Sequence, residues 1–334
     1  MHLLIDNNVP KASWDDFLIN NIHQTPFQSH SFYSFYNSVK GLSAKVFAVS
    51  EESEILALCV VTFHKENGVK SFFSTRAVIY GGPLVITGDS GHRALNFMLS
   101  ALNKALHSKV IYAETRNFSN YDLYKDIFLN SGWYFEPYMN VQIGLNGKTS
   151  DDLIKSMKYN RRREIQLSLK EGAVYKEAEN ENEVKSLYYI LSKLYKSRVK
   201  LPFPDSSFFI NLFNSDIGKV FIVTHNQTII GGSFCVYYPG MSLFTMYYCG
   251  LRNYNPKIFP THLAILAATD FGFKNNLSLI DLMGAGKPND AYGVRDYKVQ
   301  FGGNLVEDGR FVKTLNPFMY KLGKFGLKLL SKIK

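Results

Sequence analysis

The order of apolar segments in residues 13–145 returns in residues 187–313, and that repetition limits the chain to two copies of one folding unit. In the first half, helical stretches at about 13–20 and 29–38 precede the alternating segment 44–63. This segment breaks at the polar run Glu51–Glu54, which predicts a hairpin. A strand over 69–82 follows, then a helix over 92–106 with apolar spacing of three and four, and a strand over 109–117. A helix over 121–132, closed by Gly132, and a last strand over 133–145 complete the unit. In the second half, 187–198 and 206–213 read as helices, and 218–238 as a hairpin turning at His225–Thr228. Next come a strand over 241–250, a helix over 261–275, a strand over 278–286 and a closing segment over 297–313. Val46 matches Val220 at an offset of 174, and Gly132 matches Gly302 at 170. The rival arrangement is one large α/β domain with generic alternation. The repeat predicts an α+β chain: domain 1 over 1–148, domain 2 over 149–316 and a C-terminal segment over 317–334. Each domain is expected to hold a mixed, mostly antiparallel sheet flanked by helices.

Composition narrows the class further. The chain is 46% hydrophobic and 20% charged, which excludes global disorder. No run of about 18 uncharged apolar residues is present, so no membrane span is expected. The N-terminus lacks the basic-then-apolar pattern of a secretory signal. Cys59, Cys235 and Cys249 form no CxxC pair and sit in strand-like stretches, as reduced core thiols of a cytoplasmic protein would. No histidine spacing suggests a metal site.

The net charge of +10 is concentrated in two places. Lys313, Lys321, Lys324, Lys328, Lys332 and Lys334 stand in a tail without acids, and Lys155, Lys158, Arg161, Arg162 and Arg163 form a second patch. Drawn as a helix, the tail puts Phe318, Leu322, Phe325, Leu329 and Ile333 on one face beside a lysine face. That pattern suits an anionic membrane surface, or packing of the apolar stripe on the second domain.

Several short motifs accompany the repeat. They are PFQSHSFYSFY at 26–36, VIYGGPLV at 78–85, LIKSMKYNRRREIQLSLKEG at 153–172, SLIDLMGAG at 278–286 and VRDYKVQFGG at 294–303. Together they resemble the FemAB family of tandem GNAT-fold aminoacyl- and acyltransferases, over nearly the whole chain. The resemblance implies two GNAT-like domains and transfer of an acyl or aminoacyl group to an amine of a cell-envelope precursor. It implies peptidoglycan or polysaccharide pathways, a sugar-nucleotide or lipid-linked acceptor, and a cytoplasmic enzyme peripheral to the membrane. No permanently bound cofactor is expected; the co-substrate is aminoacyl-tRNA or acyl-CoA. The inserted helical arm of some bridge-forming members is absent from 151–172, which weighs against tRNA. Acyl-CoA enzymes of this fold grip pyrophosphate with a glycine-rich turn before a helix. Neither LVITGDSGHRA nor LRNYNPKIFPTH supplies that turn, which weighs against CoA. A non-catalytic module that docks tRNA or membrane is the third possibility.

The same resemblance assigns residues. Lys298, in the motif Tyr297-Lys298-Val299-Gln300-Phe301, is assigned the cation that stabilises the oxyanion of the tetrahedral intermediate; a solvent-facing strand lysine is the ordinary alternative. Tyr297 is assigned to substrate. Asp281 is a candidate to orient the attacking amine or accept its proton, or else to cap the following loop. Arg161, Arg162 and Arg163 follow Asn160, a plausible N-cap, and oppose the helix dipole; bound phosphate would compensate them. Arg198, at a helix C-terminus, is a further phosphate contact, or simply complements the dipole.

Overall fold

Each half of the chain builds its sheet around a hairpin, and the two hairpins match residue for residue. The computed structural model describes residues 1–65, 75–199 and 203–322. Strands β2 (Ser43–Glu51) and β3 (Glu54–His64) form the first hairpin, and β10 (Gly218–His225) and β11 (Thr228–Tyr238) the second. Val46 faces Val60, and Val220 faces Phe234. Leu56 is bulged out of the first ladder and Ile230 out of the second. Glu52 and Ser53 turn at φ of 49° and 73°, and Asn226 and Gln227 at 48° and 61°. Two positive φ values in succession make the tight turn whose twist suits paired strands. Every one of these pairs is separated by the offset of 174 read between Val46 and Val220 in the sequence.

The chain divides into unit 1, Met1–Pro137 with Asp308–Lys334, and unit 2, Tyr138–Glu307. In unit 1 come β1 (His2–Ile5), α1 (Lys11–Ile19), α2 (His30–Ser38), β2, β3, β4 (Arg76–Tyr80), β5 (Leu84–Val85) and α3 (Asp89–Leu106). They are followed by β6 (Tyr112–Arg116), α4 (Lys125–Asn130) and β7 (Tyr134–Glu136). Unit 2 runs through β8 (Met139–Gly144), α5 (Ser150–Ser156), α6 (Tyr159–Lys170), β9 (Val174–Glu177), α7 (Glu181–Leu194), α8 (Ser206–Phe213), β10 and β11. It continues with β12 (Ser242–Gly250), α9 (Pro260–Lys274), β13 (Leu279–Gly284), α10 (Gly293–Lys298) and β14 (Asn304–Glu307). Strand β15 (Arg310–Thr314) returns to unit 1.

The sheet orders are β1-β2-β3-β4-β6-β15-β7, with β5 on β3, and β14-β8-β13-β12-β11-β10-β9. Each sheet has one parallel pair, β4 with β6 and β12 with β13, bridged by α3 and α9; the remaining pairs are antiparallel. A parallel pair needs such a crossover, whereas the rest can be meanders. The sheets correspond strand for strand, with β8 standing in sheet 2 where β15 stands in sheet 1.

That exchange moves the domain boundary from 148/149 to Pro137 and Glu307. The stretch 133–145, expected as one strand, is two. Pro137 lacks an N–H and breaks the ladder, so β7 stays in sheet 1 and β8 enters sheet 2. Gly309, at φ 68°, turns the chain between β14 and β15. Burial holds β15 in unit 1: Phe311 is 1% exposed and stacks on Phe128 at 4.0 Å. A phenylalanine so buried contributes about 1.5–3 kcal/mol.

The early Gln-Ser motif has a structural job. Gln28, fully buried, takes the Val60 N–H on Oε1 at 2.6 Å and donates to Tyr80 O at 2.8 Å, tying β3 to β4. Ser29 caps α2 by accepting from Phe32 N. The three cysteines are free and buried. Residues 317–322 are helical, with Phe318 exposed; the rest of the basic tail, including Lys324, Lys328, Lys332, Lys334, Phe325, Leu329 and Ile333, lies outside the described residues. Among the described residues no helix is long and apolar enough to cross a membrane.

Candidate active site

The two units differ most where their parallel strands run side by side. In unit 1, β4 and β6 stay paired from Arg76↔Tyr112 to Tyr80↔Arg116, and Gly81 N still donates to Arg116 O at 2.8 Å. In unit 2, β12 and β13 pair only from Ser242↔Leu279 to Phe244↔Asp281. Beyond that point β12 runs on to Gly250 while β13 turns aside, slipping register against β8 between Asp281 and Gly284. The strands part, and backbone groups on both sides of the opening are released from the ladder.

Two of the sequence candidates hold β13 in this shape. Asp281 is wholly buried and accepts the Met283 N–H at 2.5 Å and the Gln142 Nε2–H at 3.1 Å. Met283 sits at φ 61°, which a non-glycine residue adopts only under such support. The Lys298 ammonium donates to Leu282 O at 2.5 Å, Gly284 O at 2.8 Å and Met283 O at 3.2 Å. Its three protons gather the three carbonyls that the kink turns away from β12. Lys298 is the last residue of α10, buried at 5% exposure, rather than on a strand facing solvent. Burial pushes its ammonium down to about 8, while Asp281 pulls the other way.

Lys298 Nζ lies 5.8 Å from the Tyr248 ring centre, and Tyr248 stacks on Tyr297 at 6.4 Å. Arg161 also lies over Tyr297, 5.8 Å from its ring centre. The Arg161 guanidinium donates to Gln300 Oε1 at 2.9 Å, pairs with Glu164 Oε2 at 2.7 Å and contacts His262 Nε2. Burial first, and the Arg161 charge second, push His262 down to about 3, so its imidazole is neutral at ordinary pH. With Nε2 facing a donor, the ring proton belongs on Nδ1. His262 Nδ1 and the Tyr297 hydroxyl are both buried without a hydrogen-bond partner among the described residues. Burial holds the Tyr297 hydroxyl protonated, its pKa well above the ordinary value.

The structure thus brings Lys298, Asp281, Tyr297 and Arg161 into one neighbourhood. It does not join the other three to them through any described contact. Arg162 donates to Lys155 O at 3.2 Å, Arg163 is exposed, and Arg198 is exposed in a π-helical turn, Tyr195–Val199, after α7. Helix α6 begins two residues earlier than expected, with Lys158 rather than Asn160 at its N-cap. Sequence reasoning missed Tyr248, Glu164, His262 and Gln300. Gln300, Glu164 and His262 lay inside segments already singled out in the sequence and Tyr248 did not, but only tertiary packing sets them beside Tyr297.

The segment leading into α9 uses its own amides. Lys257 N donates to Asn255 Oδ1, Ile258 N to Asn255 O and Phe259 N to Ser168 Oγ. Paired Gly231 and Gly250 let the helix start sit close on the sheet: a Cβ on Gly250 would stand 2.7 Å from Thr261 Oγ1 and 2.9 Å from Pro260 Cβ.

No known family profile matches the sequence, and no curated protein matches it. Solved structures match it in fold. FemX is 16% identical with a TM-score of 0.72, covering 96% of this chain and 99% of that one. L-PGS from Bacillus licheniformis is 12% identical with a TM-score of 0.58, covering 94% of this chain and 96% of that one. A tandem GNAT protein from the clavulanic acid biosynthesis pathway is 8% identical with a TM-score of 0.57, covering 95% and 99%. The chain has the FemAB-like fold, α+β with two GNAT-like units in tandem.

Proposed function

We propose that this chain is a transferase that moves an acyl or aminoacyl group onto an amine of a cell-envelope precursor, sugar-nucleotide or lipid-linked. The observation that carries the reading is the parting of β12 and β13 in unit 2, with Lys298 at its root and no counterpart in unit 1. An extended acyl donor can take up the released backbone groups, as a strand does. Acyl transfer to an amine builds negative charge on the former carbonyl oxygen. Lys298 supplies fixed positive charge beside that oxygen, and its longest bond, 3.2 Å to Met283 O, is the one exchanged for it. Asp281 positions the strand kink, its own oxygens being engaged within the fold. As the amine nitrogen bonds to the acyl carbon, the donor's ester C–O bond (or thioester C–S bond) breaks, and the amine's proton leaves with the departing ribose hydroxyl or thiol. Tyr297, whose hydroxyl is a committed donor, faces the substrate. Arg162, Arg163 and Arg198 are left to meet donor phosphates in solvent, and Arg161 orders the cluster beneath Tyr297.

Among donors we favour an aminoacyl-tRNA ester over acyl-CoA. Three successive amides before α9, where a pyrophosphate grip would lie, already have acceptors. The basic tail 317–334 would hold such an enzyme on an anionic membrane, near a lipid-linked acceptor. The test is a turnover assay on the full chain with charged tRNA or acyl-CoA and a panel of amine-bearing envelope precursors, read by product mass. Replacement of Lys298 with Ala should lower the rate about 10²–10³-fold, the usual loss for one oxyanion donor. An unchanged rate would remove Lys298 from the chemistry. No mass gain with either donor would leave a binding module.

A further inference from the structure

The acid that kinks β13 in unit 2 has a counterpart in unit 1 with a different task. Glu114 faces Val78 across the parallel pair of sheet 1, as Asp281 faces Phe244 in sheet 2. Strand β6 is not kinked around it. Instead, Glu114 Oε1 accepts from Arg116 Nε at 2.9 Å and Nη2 at 2.7 Å, and Oε2 accepts from Arg310 Nη1 at 3.3 Å. Arg76, Tyr80, Tyr112, Glu114 and Arg116 alternate onto one face of the sheet, and Arg310 stands on that face too, opposite Glu136 on β7. Arg310 is therefore set between two carboxylates. Arg76 forms no ion pair with an acid among the described residues, and Glu114 engages only one side of the Arg116 guanidinium.

Three arginines and two carboxylates on this sheet face leave one positive charge unbalanced. The Arg116 guanidinium carbon lies 5.3 Å from the Tyr80 ring centre, the bonds to Glu114 fix the group's place, and its side chain is 31% exposed. Arg76 and Arg116 stand at the two ends of the β4–β6 ladder, on the sheet face that Glu114 occupies between them, and border the same stretch of that face. Within it His64 contributes no charge: it is held by Thr62 Oγ1 at 3.0 Å and the Tyr36 hydroxyl at 3.2 Å. Guanidiniums presented this way match the oxygens of a phosphate, which replaces the water on both forks.

We propose that this face of unit 1 is a phosphate-binding site in which Arg76 and Arg116 are the ligands and Glu114 is the residue that positions Arg116. The site is independent of the transferase reading, because every residue in it belongs to unit 1. It gives the first copy, whose strands stay closed where the second copy opens, a task of its own.

The test is isothermal titration of the full chain with inorganic pyrophosphate, with succinate as a carboxylate of similar charge. Pyrophosphate should bind, and R76Q should weaken it by about tenfold or more, the loss expected for one charge-assisted contact. R76Q removes no ion pair seen in the structure, so it should fold; R116M, which unpairs Glu114, is the second variant. In NMR spectra the His64 ring signals should shift on adding pyrophosphate to the wild type and not to R76Q. Lys298→Met, in unit 2, should leave the affinity unchanged. Absence of binding, binding insensitive to R76Q, or loss of binding in Lys298→Met would each overturn the proposal. Succinate binding as tightly as pyrophosphate would overturn the assignment to phosphate.

Discussion

Lys298→Met removes the ammonium while keeping an unbranched, apolar side chain, and the structure says how its effect should depend on pH. In the folded chain the ammonium titrates at about 8, against 10.5 for an ordinary lysine. The folded state therefore gives up this proton first as pH rises. Between the two values the unfolded chain holds a proton that the folded chain has released, so stability rises with pH across that window. The gap from about 8 to 10.5 corresponds to about 3 kcal/mol. Wild type should gain about that much on Lys298→Met as pH is raised from about 7 to about 10.5, whichever protein is more stable at the start. The sign at neutral pH is not the test. The mutation loses three charge-assisted bonds to carbonyls, yet it also relieves the cost of burying the charge. Urea unfolding followed by circular dichroism reports both units. Trp14 and Trp133 both lie in unit 1, so fluorescence follows the unfolding of that unit. A stability difference independent of pH would refute the buried, carbonyl-bound ammonium.

Two further outcomes follow from buried polar groups. Gln28→Ala leaves Val60 N–H and Tyr80 O without their partner inside the core, and should lower stability by about 2–4 kcal/mol, measured by urea unfolding. A loss under about 1 kcal/mol would mean that water replaces the side chain. Burial, with nearby arginines, pushes His64 and His262 down to about 3, so the unfolded chain takes up protons that the folded chain refuses as pH falls below about 6.5. Stability should fall through that window, and His64→Gln and His262→Gln should each flatten the decline; unchanged slopes would show that neither ring is held neutral.

The repeat was legible in the sequence because it rests on local alternation and turn chemistry. The offset between Val46 and Val220 reproduces the strand register, the bulge and the turn to the residue. The late motifs were legible too, since Asp281, Tyr297 and Lys298 do converge. Their geometry was not. Lys298 read as the oxyanion cation, with a solvent-facing strand lysine as the alternative; it stands buried at the end of α10, before a 3-10 turn. Arg161–Arg163 read as a cluster, yet successive residues on a helix point apart, and Arg161 alone reaches Tyr297 and His262. Arg198 read as a helix-end residue, for phosphate or for the dipole, and stands exposed in the π-helical turn that follows α7.

The sequence by itself determined two sheets of one design and the hairpins at their centres. These depend on side-chain period and turn chemistry, both of which act over a few residues. Tertiary structure alone decided that β8 and β15 change places between the units, that β12 and β13 part while β4 and β6 do not, and that Asp281 and Glu114 turn to different work. The physical reason is the same in each case. A strand's partners, and the carbonyls or guanidiniums that a buried charge finds, come from residues far away in the chain, and no local pattern records them.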